Sequence, residues 1–158
     1  MAEELTQEVF MELFNYCKES GVITRKCDMK AFTTKDERGY IKIRIGKKRF
    51  RAHRLAFLFM TGKMPNNIDH INGIKDDNRW DNLRECTQNQ NCRNRKVNNS
   101  STTGMKNLLW LPDIKQWIVL INVDGKRYQY GPFFDRDIAE LVVLGARVKH
   151  HGEFANLD

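Results

Sequence analysis

Apolar residues recur along this chain with two periods, and the switches between them mark its elements. Phe10, Leu13, Phe14 and Cys17 fall at helical spacing. Thr6 is a suitable N-cap and Gly21 a stop, so a helix is expected over residues 6–20. A short strand is expected at 22–27. Residues 40–45 alternate: Ile41, Ile43 and Ile45 point one way, while Tyr40, Lys42 and Arg44 point the other. Gly46-Lys47 turns the chain and 48–52 returns, which makes a hairpin with isoleucines in the core. Residues 53–61 read as a short apolar helix closed by Gly62.

Residues 69–95 read as strand, long polar loop, strand and helix. Asn72-Gly73 marks a turn, residues 83–86 a strand, and Thr87-x-x-Gln90 a capping box that starts a helix at Gln88. Residues 97–104, VNNSSTTG, carry no apolar pattern and read as a linker. Three strands follow, at 108–111, 117–123 and 127–133, with turns at Pro112-Asp113 and Asp124-Gly125. A final helix runs from about 135 to 149. Its expected apolar stripe is Ile138, Leu141, Val142, Gly145 and Val148, with Gly145 admitting a close approach to the sheet. The expected domains are 1–97, a linker at 98–103, and 104–158. The fold class is α+β, with the second domain a three-stranded antiparallel sheet packed on one helix.

Composition adds where the charge lies. The net charge is +7, and residues 98–158 hold seven basic and seven acidic residues, so the first 97 carry all of it. Arg38, Lys42, Arg44, Lys47, Lys48, Arg49, Arg51 and Arg54 form a run without an acid. Such a run is either a solvated face or a surface for phosphates. No apolar run approaches the ~20 residues of a membrane helix, and the acidic N-terminus lacks an apolar secretion core. Cys17, Cys27, Cys86 and Cys92 form no C-x-x-C pair. Cys86 and Cys92 read as small half-buried side chains, and all four fit a reduced, cytosolic setting.

The residues between Asp69 and Arg95 change the picture most. Asp69 adjoins His70, Asn82 follows thirteen residues after Asp69, and Asn91 lies on the short polar helix. Phosphodiester hydrolysis needs a base for the attacking water and a cation for the charge on phosphate and leaving group. A neutral imidazole, of ordinary pKa ~6.5, supplies the base. A hard divalent cation on oxygen ligands supplies the rest. Neighbours on a strand face opposite ways, so Asp69 can serve a metal and His70 a water. Two protein oxygens, from Asp69 and Asn91, leave positions open for phosphate and water, as Mg²⁺ prefers.

Several motifs occur in order here: Asp69-His70-Ile71-Asn72-Gly73, Asp77-Asn78-Arg79, Asn82-Leu83-Arg84 and Gln90-Asn91-Cys92-Arg93-Asn94, with Ala52-His53-Arg54-Leu55-Ala56 ahead of them. Over roughly residues 5–96 the chain resembles the HNH endonucleases, a branch of the ββα-metal nucleases, and most closely their phage-encoded and intron-encoded members. The resemblance implies His70 as general base and Asp69 and Asn91 as ligands of one divalent ion, Mg²⁺ or Mn²⁺. It implies that Asn82 braces the loop and orients His70. His53 either contacts the scissile phosphate or is a structural histidine at a helix end. Arg79 and Arg84 either clamp phosphate or hold the acidic loop at Asp76, Asp77 and Asp81.

Residues 103–157 resemble the APETALA-type DNA-binding domain of plant ethylene-response factors, through Gly104, Trp117, Gly131, Phe133, Ala139 and the His151–Ala155 segment. The resemblance implies a sheet that reads the major groove. Lys106, Asn107, Trp110, Lys115, Trp117, Lys126, Arg127, Tyr128 and Tyr130 are then candidate DNA contacts, though each tryptophan could equally be core. In the first domain the candidates are Lys42, Arg44, Lys47, Lys48, Arg49, Arg51, His53, Arg84 and Arg93. The expected partner is double-stranded DNA, with no membrane and no small-molecule substrate. The expected state is a monomer or homodimer in a bacterial host's cytoplasm. A non-cleaving DNA-binding regulator that uses the same sheet is the alternative, and a toxin-type nuclease a third.

Overall fold

The computed structural model describes residues 5–94 and 102–157. The fold is α+β. Contacts divide the chain into two compact units, Met1–Cys86 and Thr87–Asp158, a division that falls ahead of the boundary expected at 97. Most of the expected linker, 98–101, lies outside the described residues. Among the described residues no helix is long and apolar enough to cross a membrane.

The first unit begins with α1 (Gln7–Leu13), β1 (Phe14–Tyr16), β2 (Ile23–Arg25), β3 (Lys42–Ile45) and β4 (Lys48–Arg51). It continues with α2 (Ala52–Thr61), β5 (Ile68–His70) and β6 (Leu83–Glu85). The strands form three antiparallel ribbons, β1-β2, β3-β4 and β5-β6. Thr6 caps α1, its hydroxyl accepting from Val9 N–H at 3.4 Å. The helix expected to reach residue 20 ends at Leu13, because Phe14 turns extended and pairs opposite Arg25. Phe10 and Phe14 still stack, with ring centroids 5.0 Å apart, so the helical spacing reported a true contact across a helix–strand junction. Phe10, Ile23, Ile43 and Leu55 are completely buried and centre the core, and Phe57 packs on Trp80 at 4.8 Å. Ile43 is the most buried residue of β3, with Lys42 and Arg44 exposed, as alternation requires.

Gly21 joins β1 and β2 at φ +72°, a left-handed conformation that favours glycine. A Cβ there would collide with the backbone of Asn78 and Arg79. The same turn is fastened by Tyr16 Oη donating to Asn78 O at 2.7 Å and Trp80 N–H donating to Lys18 O at 2.9 Å. The N-terminal ribbon thus fixes the backbone at residue 78, beside the Asp69-His70 strand.

The second unit holds α3 (Gln88–Arg93), β7 (Leu108–Leu111), β8 (Gln116–Val123), β9 (Lys126–Phe133) and α4 (Arg136–His151). Thr87 and Gln90 close a reciprocal capping box on α3. This helix is tied to its own unit by Arg93 to Asp124 (2.6 Å), Lys106 Nζ to Arg93 O (3.4 Å) and Asn156 Nδ2 to Asn94 O (2.9 Å). These ties explain why the boundary precedes it. Thr103, assigned to the linker, is buried, and its hydroxyl lies within hydrogen-bonding distance of Met105 O and Leu108 O.

The sheet runs β7-β8-β9, antiparallel throughout, and packs on α4. Asp135 caps α4, its carboxylate accepting from Asp137 and Ile138 N–H. The buried face of α4 is Ala139, Val143, Ala146 and Arg147. Of the stripe expected from sequence, Val142 packs against the core, but Ile138, Leu141 and Val148 are turned away, at 51%, 69% and 54% exposed. A Cβ on Gly145 would meet nothing within 4 Å, so no close approach to the sheet explains that glycine. Small residues face the sheet because Val119, Ile121, Trp117 and Tyr130 already fill the space beneath the helix.

Candidate active site

β5 and β6 set Asp69 directly opposite Arg84, and His70 opposite Leu83. Asp69 and His70 are both buried. Arg84 Nε and Nη2 donate to Asp69 Oδ2 at 2.9 and 2.7 Å. Arg84 thus neutralises the buried carboxylate. Arg79 is the residue on the acidic loop: its Nε and Nη2 donate to Asp77 at 2.8 and 2.6 Å and hold that carboxyl down at about 2.

The loop after His70 is built on asparagine side chains. Asn82 Oδ1 accepts from Asn72 N–H at 2.9 Å, and its Nδ2 donates to Asp77 O at 2.7 Å. Ile71 N–H donates to Asn82 O, and Gly73 N–H donates to His70 O, each at 2.9 Å. Asn82 therefore spans both ends of the loop that follows the imidazole without itself reaching the ring. Asn78 reaches the ring instead, its Oδ1 lying 3.3 Å from His70 Nε2. Asn78 Nδ2 donates to Asp76 O at 3.2 Å, which fixes the amide with its oxygen toward His70. In that arrangement Nε2 carries the proton and Nδ1 the lone pair. Burial lowers the His70 pKa, partly opposed by the Asn78 hydrogen bond and the nearby aspartates.

His53, in the first turn of α2, lies against His70 with ring centroids 5.1 Å apart and planes near perpendicular. Its Nδ1 is buried without a hydrogen-bond partner, and burial lowers its pKa to about 3. Tyr40 packs on both imidazoles, at 5.1 and 5.9 Å, under the Arg51 guanidinium at 4.3 Å and the Lys75 ammonium at 5.5 Å. Asn78 and Tyr40 carried no assigned role in the sequence. Asn78 stood inside a quoted motif, whereas Tyr40 read as an outward residue of a strand.

The β3-β4 register places Lys42 opposite Arg51 and Arg44 opposite Arg49. Directly opposed like charges destabilise a ribbon, so this face accumulates positive charge against its own stability. Lys42, Arg44, Lys47, Lys48 and Arg49 are exposed, while Arg51 is drawn onto Asp36 at 3.1 Å. An open cleft of about 350 Å³ lies here, lined by Arg38, Lys42, Arg49, Phe50 and Arg51 with Asp36 and Glu37.

In the second unit Asn91 stands partly buried on α3. Arg93, a candidate DNA contact, is paired with Asp124. The sheet corrects the expected reading face. Trp110, Trp117 and Phe133 share one face by register, as do Val119 with Tyr130 and Ile121 with Tyr128, and this is the face packed on α4. Trp110 and Trp117 meet at a tilt with ring centroids 4.8 Å apart, Arg136 lies over the Trp117 ring, Tyr128 stacks on His150 at 4.0 Å, and Tyr130 Oη bonds His150 Nε2 at 2.6 Å. Trp110 keeps 42% exposure at the edge. By strand parity the opposite face carries Leu109, Gln116, Ile118, Leu120, Asn122, Arg127 and Gln129. Lys115 and Lys126 sit at hairpin turns, exposed, and Lys106 reaches to Arg93 O. The reading of Cys86 and Cys92 is also corrected: Cys86 is buried, with burial pushing its thiol up to about 11, but Cys92 is exposed.

The HNH endonuclease family model matches residues 50–93, the span from β4 through α3. Protein 3.8 of Escherichia phage T7 is 32% identical over 109 residues, covering 66% of this chain and 88% of that protein. This chain belongs to the HNH endonuclease family. A solved structure described as DNA binding and cleavage by the HNH homing endonuclease I-HmuI aligns over 87% of this chain and 84% of that one, at 25% identity and a TM-score of 0.44. The HNH match contains Asp69, His70, Asn82 and Asn91 together.

Proposed function

We propose that this chain is a metal-dependent DNA endonuclease that hydrolyses phosphodiester bonds, of the phage-encoded or homing type, and that it nicks one strand per visit. The observation that carries the reading is the buried Asp69-His70 pair in an HNH chain, its imidazole held by Asn78 and its loop by Asn82. His70 takes the proton of the attacking water, its ring held by Asn78. Asp69 and the Asn91 amide are hard oxygen donors suited to Mg²⁺ or Mn²⁺. Among the described residues no group of three or more His, Cys, Asp and Glu could hold a metal ion. When bound, the ion would neutralise developing charge on the phosphate and leaving oxygen. Asp69 must then share its carboxylate with Arg84, which keeps the buried charge paired until a cation or phosphate arrives.

The cation-rich face of β3-β4 supports double-stranded DNA as the partner, through phosphate contacts from Lys42, Arg44, Lys47, Lys48 and Arg49. The second unit serves as an APETALA-like DNA-binding module. Its contacts are best sought at Lys115, Lys126 and Arg127, which stay exposed, rather than at Tyr128 and Tyr130, which are held by His150. The test is supercoiled-plasmid cleavage with Mg²⁺, Mn²⁺ or EDTA. The expected result is metal-dependent conversion to open circle before linear product. Plasmid retarded but uncut under every condition would replace the proposal with a DNA-binding regulator.

A further inference from the structure

The exposed side of α4 carries a pattern that its own unit does not use. Ile138, Leu141 and Val148 form a stripe along the helix and are 51%, 69% and 54% exposed. Gly145 lies in the same stripe. A glycine inside a helix is destabilising against alanine, and among the described residues no neighbour requires it, since a Cβ would meet nothing within 4 Å. The stripe is also self-complementary. Laid antiparallel against a copy of itself about Val143, α4 sets Ile138 opposite Val148 and Leu141 opposite Gly145. The same register brings Asp137 level with Lys149, each ~9 Å from the midpoint at 1.5 Å per residue. Each half of the contact then offers a large side chain to a glycine, and each end offers an acid to a base.

We propose that two copies of this chain associate through α4, as a two-fold antiparallel helix pair with Leu141 of each seated over Gly145 of the other. The contact is isologous, the arrangement of most closed dimers, and glycine at the crossing lets the helices approach closely. The inference is independent of the nuclease reading, because it uses no residue of the Asp69-His70 site. Joined to that reading, it would give the dimer two nuclease units, one for each DNA strand.

Sedimentation equilibrium of the full chain, from about 1 to 100 µM, spans the affinities expected of a modest interface. The expected species approaches twice the 18.6 kDa monomer mass at the upper end. Leu141→Glu should weaken association at least about tenfold, with far-UV circular dichroism unchanged because the side chain is exposed. Asp137→Lys and Lys149→Asp should each weaken it as well, and the double exchange should restore it. A monomer at every concentration would overturn the proposal. So would a dimer indifferent to Leu141→Glu, or a double exchange no better than either single variant.

Discussion

Both units bury polar side chains, but they bury them for different ends. In the second unit Arg147 is almost fully buried, and its guanidinium donates to Asn156 O at 2.9 Å, Lys106 O at 2.7 Å and Asn107 Oδ1 at 3.3 Å. Every partner is an uncharged oxygen, and the arrangement joins α4 to the β7 edge and the C-terminal segment. In the first unit the buried polar residues are His53, Asp69, His70, Asn78 and Asn82. Two imidazoles touch beside a carboxylate, and the amides position rings and loop rather than closing a core. His151 in the second unit is partly buried with an enclosed, unpartnered Nδ1, and burial together with the charges of Arg93, Lys106 and Arg147 lowers its pKa to about 4. Burial of polarity alone therefore does not mark a site. A buried acid beside a buried base does.

The contrast can be broken by substitution. Arg147→Ala should destabilise the protein by about 3 kcal/mol, since it strands one buried and two part-buried acceptors and leaves a cavity. A melting temperature within a degree of wild type would show that the arginine is no strut. Gly21→Ala comes next, at about 2 kcal/mol, because it adds strain at positive φ to a collision with Asn78. Since that collision displaces the residue that orients His70, cleavage should fall in the folded fraction as well. Normal turnover from a destabilised variant would separate the turn from the site.

Asn78→Ala should lower kcat about tenfold, or ~1.4 kcal/mol, with DNA affinity retained, because the imidazole loses its tautomer-fixing partner. An unchanged kcat would leave Asn82 alone as the bracing residue. The smallest effect concerns acid. His53 is neutral in the folded protein down to about 3, whereas an unfolded histidine takes up its proton near the ordinary 6.5. The unfolded chain binds more protons across that window, so stability is full above it and falls as pH drops through it. The loss should reach about 1 kcal/mol by one pH unit below 6.5. Denaturant titrations at neutral and mildly acid pH should show this slope, reduced in His53→Leu.

Much of this architecture is legible in the sequence. The Ile41, Ile43, Ile45 alternation, the Thr87–Gln90 box and the Asp124-Gly125 hairpin are local signals, and local chemistry decides them. The errors came where a distant partner decides. Phe10, Leu13, Phe14 and Cys17 satisfy a helix, yet Phe14–Tyr16 is a strand because Tyr16 reaches across the fold to Asn78 O. The larger apolar residues of α4 looked like its core face, but the sheet admits only small side chains and a buried arginine. The aromatics of β8 and β9 looked like readers because strand parity does not say which face the helix will cover. Asp69 and His70 were recognisable from their motif. That Arg84 neutralises Asp69, and that Asn78 rather than Asn82 touches His70, depends on a register and a loop conformation that no spacing encodes.

The most direct test of the central claim compares wild type with His70→Ala in one preparation, measuring nicking of supercoiled plasmid in Mg²⁺ beside retardation of the same DNA in EDTA. Loss of a base in place should reduce nicking by about 10²–10⁴-fold while retardation persists. Nicking by His70→Ala at the wild-type rate, or loss of binding and cleavage together, would contradict the assignment of His70 as the base.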